Sequence, residues 1–487
     1  MTAGWARFCR TVAARGGHPA LVMGDVTISF AALATMARSH AAALAARGVG
    51  PGDRVLLRLA NGPAAAALPL AIWAVGAVPV LVPLDLTAQA ADDIAARVLP
   101  RLILSEASDI AGGVLAEGGV LAEDGGLDED GGLAAPPAAG SVVFTSGSTG
   151  RPKGVVQRHA TLLDGAARVA RAVGFGAGDR LLSAVPWTHD YGWTQLLAMY
   201  VLGLTLVVPV QAGLAGVPDA VARHRPTVLG GVPSVYGGLV RGVSDMASRD
   251  RSSVRLVMST GSVMPQRVWD DLATLFPGAR RVLNYGLTET FRSATLRPHD
   301  EGLGPQVVGS ALPGSALCVT DAAGSVLPPG VWGEVVHRGA GVFDQYWNDP
   351  DQTALRRRAD PVTGRGWAVF TGDRGVLDAA GRLTLGDRID RMVKVMGLAA
   401  SPLAIERVLC AVPGVQAAAV VSRPHDILGA ELHGFVVGGD IRAAEAACRS
   451  GLAPHERPRR LHPRAALPLT ASGKIDLQAL TRQVPDA

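Results

Sequence analysis

Apolar segments of strand length alternate with longer alanine-rich segments through most of the chain. The strand-length segments include residues 54–59, 141–144, 205–210, 254–259 and 281–285. Longer segments such as 30–46 and 161–173 have the length and composition of helices. Regular alternation of the two is typical of α/β proteins. The pattern therefore predicts an α/β fold with a large N-terminal domain, in which helices flank mostly parallel sheets.

The pattern changes after Gly330 to shorter strands separated by turns. These strands are predicted at residues 333–337, 368–370, 375–377 and 382–385, and a charged segment then leads into a new apolar strand. We expect a small β-subdomain here, followed by a small, mobile α+β C-terminal domain. The predicted division is a large domain over 1–387, a hinge over 388–392 and a small domain over 393–487. Residues 107–140, rich in glycine, alanine and acidic side chains, predict a solvated, mobile loop.

Composition narrows the class of protein. The 487 residues are 48% hydrophobic and 18% charged, with a net charge of +4, which describes a globular protein and does not suggest a nucleic-acid partner. The four cysteines are widely scattered and lack the spacing of a metal site, so we expect reduced thiols. The N-terminus lacks the apolar core of a signal peptide, which favours a cytoplasmic protein.

An apolar segment over residues 63–84 is long enough to raise the question of a membrane span. Pro69, Pro79, Pro83 and Gly76 interrupt it, and they argue against one continuous helix. We expect a buried helix, a turn at Gly76 and a short strand over 78–82, with no membrane span.

A polar loop follows the apolar strand at 141–144 and carries the strongest chemical signal. Its sequence, TSGSTGRPKG over 145–154, combines three glycines, four hydroxyl side chains and one lysine. Glycines allow backbone N–H groups to approach an anion closely, hydroxyl groups donate hydrogen bonds, and Lys153 adds a positive charge. The loop predicts polyphosphate binding. It is not a Walker A motif, because Pro152 precedes the lysine and Gly154 follows it.

This loop resembles the phosphate loop of the adenylate-forming superfamily, which includes acyl-CoA synthetases, peptide-synthetase adenylation domains and luciferases. The resemblance covers nearly the whole chain. It implies an AMP-dependent ligase that binds ATP through the loop residues Thr145, Ser146, Gly147, Ser148, Thr149, Gly150 and Lys153. Thr149 and Lys153 would also act in catalysis.

The segment NYGLTE over 284–289 resembles the family's adenine and magnesium motif. By that likeness Tyr285 and Gly286 contact the purine, Thr288 contacts the α-phosphate, and Glu289 is catalytic as a ligand of Mg²⁺. The assignment is chemically reasonable, since an aromatic face suits a base and Mg²⁺ prefers carboxylate oxygen.

Three further motifs follow in the order that the family has them. The segment FTGDR over 370–374 resembles the ribose motif, in which Asp373 accepts from the ribose hydroxyls. In the segment RID over 388–390, Arg388 would reach the ribose and Asp390 would be the hinge residue. The segment LPLTASGKID over 467–476 resembles the family's catalytic-lysine loop and assigns Lys474 to the substrate carboxylate and α-phosphate.

The expected acid-binding residues surround the segment PWTHDYGW over 186–193. By resemblance His189 lies between adenylate and substrate, with a catalytic role, and Gly261 belongs to the same site. Asp190 falls where amino-acid-activating domains carry an aspartate for the substrate ammonium. Arg292 is expected at the pocket wall, where it would meet a second carboxylate or polar group, pair with Asp190, or serve as a structural cation.

The thiol acceptor is expected in trans, as coenzyme A or as the phosphopantetheine arm of a free carrier protein, because no carrier domain follows Lys474. Arg457, Arg459, Arg460 and Arg464 would suit either acceptor, or form a solvated face. The family's thiolation loop is altered here. Gly397 is present, but the aromatic residue and arginine that usually follow are Leu398 and Ala399.

Three functions stay open from the sequence. The first is activation of an amino acid or β-amino acid with ATP and Mg²⁺, followed by loading onto a carrier protein. The second is an acyl-CoA synthetase for an aliphatic or aryl acid. The third, from another class, is a nucleotide-binding regulator that has lost catalysis, which the presence of Lys153, Glu289, Asp373 and Lys474 disfavours.

Overall fold

The computed structural model describes residues 2–484 except positions 85, 106–119, 122–137, 146–151, 212, 242–243, 298–299, 301, 397, 426–427 and 471–473. The chain divides into two compact units. The first comprises residues 1–317 and 336–370, and the second comprises residues 318–335 and 371–487. The predicted hinge at 388–392 stays a prediction.

The helices begin and end at the following residues: α1 (Ala3–Arg15), α2 (Phe30–Ala46), α3 (Pro63–Val75), α4 (Ala88–Val98), α5 (His159–Val173), α6 (Asp190–Leu202), α7 (Val217–His224), α8 (Pro233–Val240), α9 (Gln266–Leu275), α10 (Pro350–Arg356), α11 (Pro402–Cys410), α12 (Ile441–Gly451) and α13 (Leu477–Arg482). Local chemistry sets several of the ends. The Ser29 hydroxyl accepts from the Ala32 N–H at the start of α2, and the left-handed Gly174 and Gly203 end α5 and α6.

The strands up to residue 346 are β1 (Pro19–Met23), β2 (Val26–Ser29), β3 (Arg54–Leu57), β4 (Val78–Leu81), β5 (Leu102–Leu104), β6 (Val120–Leu121), β7 (Ala139–Thr145), β8 (Lys153–Arg158), β9 (Arg180–Ser183), β10 (Thr205–Val207), β11 (Val228–Gly231), β12 (Leu256–Ser259), β13 (Arg280–Tyr285), β14 (Ala294–Thr295), β15 (Val307–Ala311), β16 (Ser315–Thr320), β17 (Gly333–Gly339) and β18 (Gln345–Tyr346). The later strands are β19 (Arg357–Ala359), β20 (Trp367–Leu377), β21 (Arg382–Arg388), β22 (Val393–Val395), β23 (Leu398–Ala400), β24 (Val415–His425), β25 (Gly429–Gly438) and β26 (Arg460–Arg464).

Two sheets in the first unit position the candidate site. One has the strand order β15-β14-β13-β12-β11-β9-β10-β1-β2, and its strands from β13 to β1 are parallel. The other has the order β18-β8-β7-β4-β3-β5-β6, with a parallel centre formed by β7, β4, β3 and β5. Parallel strands need apolar cover on both faces, and α1, α2, α3, α5 and α6 contribute buried side chains to the same apolar core. The predicted α/β fold is confirmed.

The apolar segment that begins at Pro63 forms a buried helix, a turn and a strand, as predicted. Helix α3 ends at Val75, and Gly76 adopts φ of 86° before β4 begins. Pro69 lies inside α3, so this proline is accommodated within the helix. Within the described residues, no helix has both the length and the apolar character that a membrane span requires.

The second unit contains smaller sheets. Strands β24, β25 and β26 form one sheet, β22 and β23 form a two-stranded one, and α11 packs against β24. Val420, Val436, Ile405 and Leu409 belong to the apolar core of this unit. The expected α+β architecture of the C-terminal region is confirmed in these elements.

One local expectation was wrong. Residues 368–370 and 375–377 were predicted as separate strands, but both belong to the continuous strand β20. The intervening Gly372 has φ of 74°, and the pairing of β20 with β21 shifts register between Asp373 and Gly375. A glycine in the left-handed region lets the strand bulge without ending, so the Thr-Gly-Asp sequence that indicates a turn forms a bulge.

All four cysteines are described, and none forms a disulfide. The segment predicted as a mobile loop over 107–140 lies mostly outside the described residues. The structure describes strand β6 within it, and β7 begins at Ala139.

Candidate active site

The phosphate-loop segment connects two paired strands of the first unit. Strands β7 and β8 are antiparallel, and Thr145 and Lys153 are register partners at the ends where the connection begins and finishes. Ser146, Gly147, Ser148, Thr149 and Gly150 lie outside the described residues. The paired strands therefore hold the two ends of the loop close together.

Lys153 lies against two side chains from the region near α10. Its Nζ donates a 2.7 Å hydrogen bond to Gln352 Oε1 and lies 5.4 Å from the centre of the Tyr346 ring. A cation over an aromatic face is attracted to the ring and loses some of its conformational freedom. The lysine side chain is therefore oriented by Gln352 and Tyr346.

Glu289 contacts the same tyrosine. It lies in a short 3₁₀ turn, Thr288–Thr290, and its Oε1 accepts a 2.5 Å hydrogen bond from the Tyr346 hydroxyl. The backbone of the turn is held as well, because Gln157 Nε2 donates to the Thr288 carbonyl at 2.8 Å and the Phe343 N–H donates to the Glu289 carbonyl at 2.9 Å. Tyr346 therefore links Lys153, from β8, with Glu289, from the segment after β13.

Glu289 fits the role of a magnesium ligand. Its carboxylate is only partly buried, and magnesium in ATP-dependent enzymes is commonly held by one or two carboxylates together with phosphate oxygens and water. Within the described residues, no group of three or more His, Cys, Asp or Glu side chains forms a complete metal cage. A single, partly buried carboxylate is compatible with a Mg²⁺ ion that also binds nucleotide phosphates.

The residues before Glu289 are tightly packed. Tyr285 ends β13 and is 8% exposed. A Cβ atom on Gly286 would lie 2.8 Å from Cα of Arg292, which is closer than Cβ contacts occur. Gly286 is therefore required because the backbone at Arg292 passes directly beside it.

His189 and Asp190 lie at the start of α6. His189 is the N-cap residue, and Asp190 is in the first turn, where a negative charge interacts favourably with the helix dipole. Both side chains are partly buried. Gly261 follows β12 with φ of 92°, a conformation that strongly favours glycine.

Arg292 is a buried cation, with 3% of its surface exposed. Its Nη1 donates a 2.8 Å hydrogen bond to Thr260 Oγ1, and its guanidinium carbon lies 5.3 Å from the centre of the Tyr191 ring. Burial lowers the pKa of Arg292, while the negative charge of Asp190 acts to raise it. Burial also raises the pKa of Tyr191 to about 12.

A small cavity lies beside Arg292 in the first unit. Its walls come from α5 and the segment after it, α6, β9, the ends of β12 and β13, and the segment after the 3₁₀ turn. The lining residues are Ala166, Val169, Phe175, Leu181, Tyr191, Thr194, Gln195, Ala198, Met258, Asn284, Phe291 and Arg292. The structure therefore brings Arg292 and Tyr191 to one cavity next to Asp190.

The expected ribose residues form a cluster within the second unit. Arg388 Nη1 lies 3.3 Å from Asp373 Oδ1, and the same arginine makes two contacts with Asp390, of 2.9 and 3.1 Å. Asp373 is 9% exposed, whereas Arg388 and Asp390 are more accessible. The bulge at Gly372 and the strand end at Arg388 bring these side chains together.

The turn after β21 is attached firmly to α11. Arg391 Nη2 contacts Glu406 Oε1 at 2.5 Å, and Glu406 Oε1 also accepts from the Val420 N–H at 2.7 Å. Asp387 Oδ2 accepts from the Leu403 N–H at 2.7 Å. Burial raises the pKa of Glu406, and the charge of Arg391 opposes that rise. Gly397 lies outside the described residues.

Lys474 is exposed and lies in a short antiparallel turn. The Thr470 N–H donates to the Lys474 carbonyl at 2.7 Å, and Leu469 pairs with Ile475. Residues 471–473 lie outside the described part of the chain. The backbone of Lys474 is therefore held in place, and the residue as a whole is exposed.

The site includes residues to which the sequence motifs assigned no catalytic or binding role. Gln157, Tyr346 and Gln352 hold Glu289 and Lys153, and Thr260 holds Arg292. They come from segments distant along the chain, so no local pattern marks them. Gln157 offers a weak signal, since this polar residue directly follows the apolar Val155 and Val156 in β8.

The chain belongs to the family of AMP-binding enzymes. Residues 8–347 match the AMP-binding enzyme family, and residues 404–474 match the AMP-binding enzyme C-terminal domain. The predicted membership of the adenylate-forming superfamily is therefore confirmed.

Two relatives and one solved structure illustrate the likeness. CymA of Salinispora arenicola, named a probable nonribosomal peptide synthetase, is 30% identical over 97% of this chain, which spans 6% of that protein. A Mycobacterium tuberculosis ligase, named as a CoA ligase of an indenyl-propanoyl compound, is 32% identical over 70% of this chain and 66% of its own length. ATP-bound MatB from Rhodopseudomonas palustris is 25% identical, has a TM-score of 0.84 and matches 99% of both chains.

Proposed function

We propose that this protein activates a carboxylic acid with ATP, forming an acyl-adenylate and pyrophosphate, and then transfers the acyl group to a pantetheine thiol. The observation that carries the proposal is the contact of Tyr346 with both Lys153 and Glu289. A cation beside a phosphate loop and a carboxylate suited to Mg²⁺ are thereby held together. Membership of the AMP-binding enzyme family supports the same activity.

In the first step a carboxylate oxygen attacks the α-phosphorus of ATP, and the bond to the pyrophosphate oxygen breaks. Both reactants are anions, so the barrier falls when their charges are neutralised and they are held in line. Lys153 would bind the departing phosphates with the loop, including Thr149, and Lys474 would bind the carboxylate and α-phosphate. Mg²⁺, held by Glu289, would supply further neutralisation of the phosphate charge.

Other residues would position the nucleotide. The Asp373 carboxylate is an acceptor suited to the two ribose hydroxyls, and Arg388 lies beside it. Tyr285 and Gly286 would contact the adenine, and Thr288 the α-phosphate. His189, as the N-cap residue of α6, would lie between the adenylate and the acid.

In the second step the thiol attacks the acyl carbon, and AMP leaves as the acid anhydride bond breaks. We propose coenzyme A or a carrier protein's phosphopantetheine as the thiol, supplied in trans. Reorientation of the C-terminal domain at Asp390 would accompany this step, with Gly397 in the thiolation loop.

The proposed acid is an amino acid or a β-amino acid. Asp190, partly buried at the start of α6, suits an ammonium group, because a charge-assisted pair in such a place is strong. The alternative is an aliphatic or aryl acid in a CoA synthetase. An Asp190→Ala variant distinguishes the two, since it should abolish activation of an amine-bearing acid and hardly affect a fatty acid.

ATP–pyrophosphate exchange with a panel of α-amino, β-amino, aryl and fatty acids tests the activity. Exchange that depends on one class of acid is expected. Exchange that stays at background with every acid would contradict the proposal and favour the nucleotide-binding regulator. Competition between coenzyme A and carrier proteins for the preformed adenylate then identifies the acceptor.

A further inference from the structure

Arg292 carries a buried positive charge, and it has few partners among the residues that the structure describes. Its guanidinium group makes one hydrogen bond, to Thr260, and within the described residues no carboxylate lies within the 4.0 Å that defines an ion pair with it. Its Nε has no hydrogen-bond partner within the described chain. A buried cation that is only partly compensated is costly, so this arrangement favours an anion that arrives with a ligand.

Two more polar side chains line the same cavity. Gln195, 3% exposed, lies on α6, and Asn284, 7% exposed, lies on β13. Within the described residues, Asn284 Oδ1 makes no hydrogen bond, and the Gln195 amide lies beside the Tyr191 hydroxyl. Arg292 and Asn284 thus bring unsatisfied polar atoms to one cavity, with the Gln195 amide next to them. Such atoms are usually satisfied in folded proteins, so a polar ligand is the simplest partner.

The rest of the cavity lining is mainly apolar. Phe175, Leu181 and Phe291 are among its walls, and it lies inside the packed core between α5, α6 and the sheet. An extended fatty acyl chain would have to bring its apolar end to a buried guanidinium, which would stay unpaired. The cavity therefore favours a small polar group beside Arg292 over the apolar end of a long chain.

We propose that the acid activated by this protein is a compact dicarboxylic acid, and that Arg292 binds the carboxylate that does not react. Gln195 contributes hydrogen bonds to the same end of the acid. This inference rests on the proposed acyl-adenylate activity and names the substrate class of that site. An amino group on the acid is compatible with it, because Asp190 lies beside Arg292 and would pair with an ammonium independently.

The test is ATP–pyrophosphate exchange with dicarboxylic acids of three to six carbons and small aromatic dicarboxylic acids, with and without an amino group. Each diacid is paired with the analogue in which one carboxylate is replaced by a carboxamide. The diacid should exceed its amide analogue by about 100-fold in kcat/KM, because removal of one partner of a buried charge pair is costly. Amide analogues that react as well as the diacids would overturn the inference.

Substitution of Arg292 is the second part of the test. Arg292→Gln should remove the preference for the diacid while retaining exchange with the amide analogue, and Arg292→Lys should keep part of the preference. The matched control is Arg168→Gln, a second buried arginine of the first unit that does not line the cavity. It should lower the melting temperature without changing the ratio of diacid to amide.

The outcomes separate this inference from the proposed function. No exchange with any acid contradicts the function itself. Exchange with monoacids or neutral amino acids, without preference for a second carboxylate, contradicts the inference alone. An equal loss with every acid in Arg292→Gln would also contradict it, because a purely structural arginine predicts that result.

Discussion

Tyr346 is the residue on which the proposed phosphate site depends most. Its hydroxyl donates to Glu289, and its ring lies against the Lys153 ammonium. Sequence motifs assign functional roles to the lysine and the glutamate, but none to the tyrosine between them. The two functions of Tyr346 can be separated, because phenylalanine keeps the ring and loses the hydroxyl.

We expect Tyr346→Phe to weaken use of MgATP without unfolding the protein. Loss of a hydrogen bond to a charged group should lower kcat/KM for ATP by about 10-fold, which corresponds to about 1.4 kcal/mol. Tyr346→Leu, which also removes the ring from Lys153, should lower it further. Equal kcat/KM in wild type and Tyr346→Phe, measured by pyrophosphate exchange at varied ATP, would show that the hydroxyl does not orient Glu289.

Lys474 offers a second prediction at this scale. Its side chain is exposed, so Lys474→Ala should leave the melting temperature unchanged while it lowers exchange by about 100-fold or more, as expected when an electrostatic contact to the reacting groups is lost. Lys394→Ala, another exposed lysine of the second unit, is the control and should exchange normally. Similar rates in both variants would remove Lys474 from the proposed mechanism.

At the scale of elements, helix α5 supports the segment that carries Arg292. Phe291 is fully buried, and its backbone φ of 57° is unfavourable for any residue other than glycine. A Cβ atom on Gly165 of α5 would lie 2.4 Å from the Phe291 ring. The absence of a side chain at Gly165 therefore makes the room that this strained residue occupies.

We expect Gly165→Ala to destabilise the protein by about 1–3 kcal/mol, the usual cost of overpacking, despite the higher helix propensity of alanine. Activity should fall as well, because Arg292 follows Phe291 directly. Gly237→Ala in α8 is the matched control. Its Cβ would meet only Val268 at 3.8 Å, so stability should rise by up to about 1 kcal/mol. Urea denaturation measures both, and an equal effect at the two glycines would contradict the packing argument.

Element boundaries show how far local pattern extends. Helix α2 begins and ends at the predicted residues, since its apolar pattern and Ser29 cap are local signals. The prediction divided strand β20 into two separate strands. The bulge at Gly372 that joins them depends on pairing with β21, and a local sequence pattern does not reveal that pairing. Gln157 and Gln352 likewise act through partners more than a hundred residues away.

At the scale of the whole molecule, buried histidines make stability depend on pH. Burial lowers the pKa of His159 and of His337 to about 4. Both stay neutral in the folded protein between pH 4 and 6.5, while the unfolded chain binds protons there. The unfolded state then binds more protons, so the free energy of unfolding falls as the pH drops from about 6.5 to 4.

We expect His159→Leu to reduce this dependence. Each histidine contributes at most about 3 kcal/mol to the change across the window, from the size of its pKa shift. Neither ring nitrogen of His159 has a hydrogen-bond partner within the described residues, so leucine removes the titrating group without breaking a bond. Urea denaturation at pH 4.5 and 7 measures the slope. If His159→Leu is as acid-sensitive as the wild type, the loss of unfolding free energy at low pH comes from other groups.

The sequence by itself determined the family, the α/β fold and the order of the motifs. Those features depend on contiguous residues, whose spacing and backbone chemistry are readable without knowledge of neighbours in space. Only the tertiary structure decided what surrounds each motif. Thr260, Tyr191 and Gln195 meet near Arg292 because strand β12 and helix α6 pack together with the segment after β13. Burial and charge compensation depend on that packing, and they carry the substrate inference.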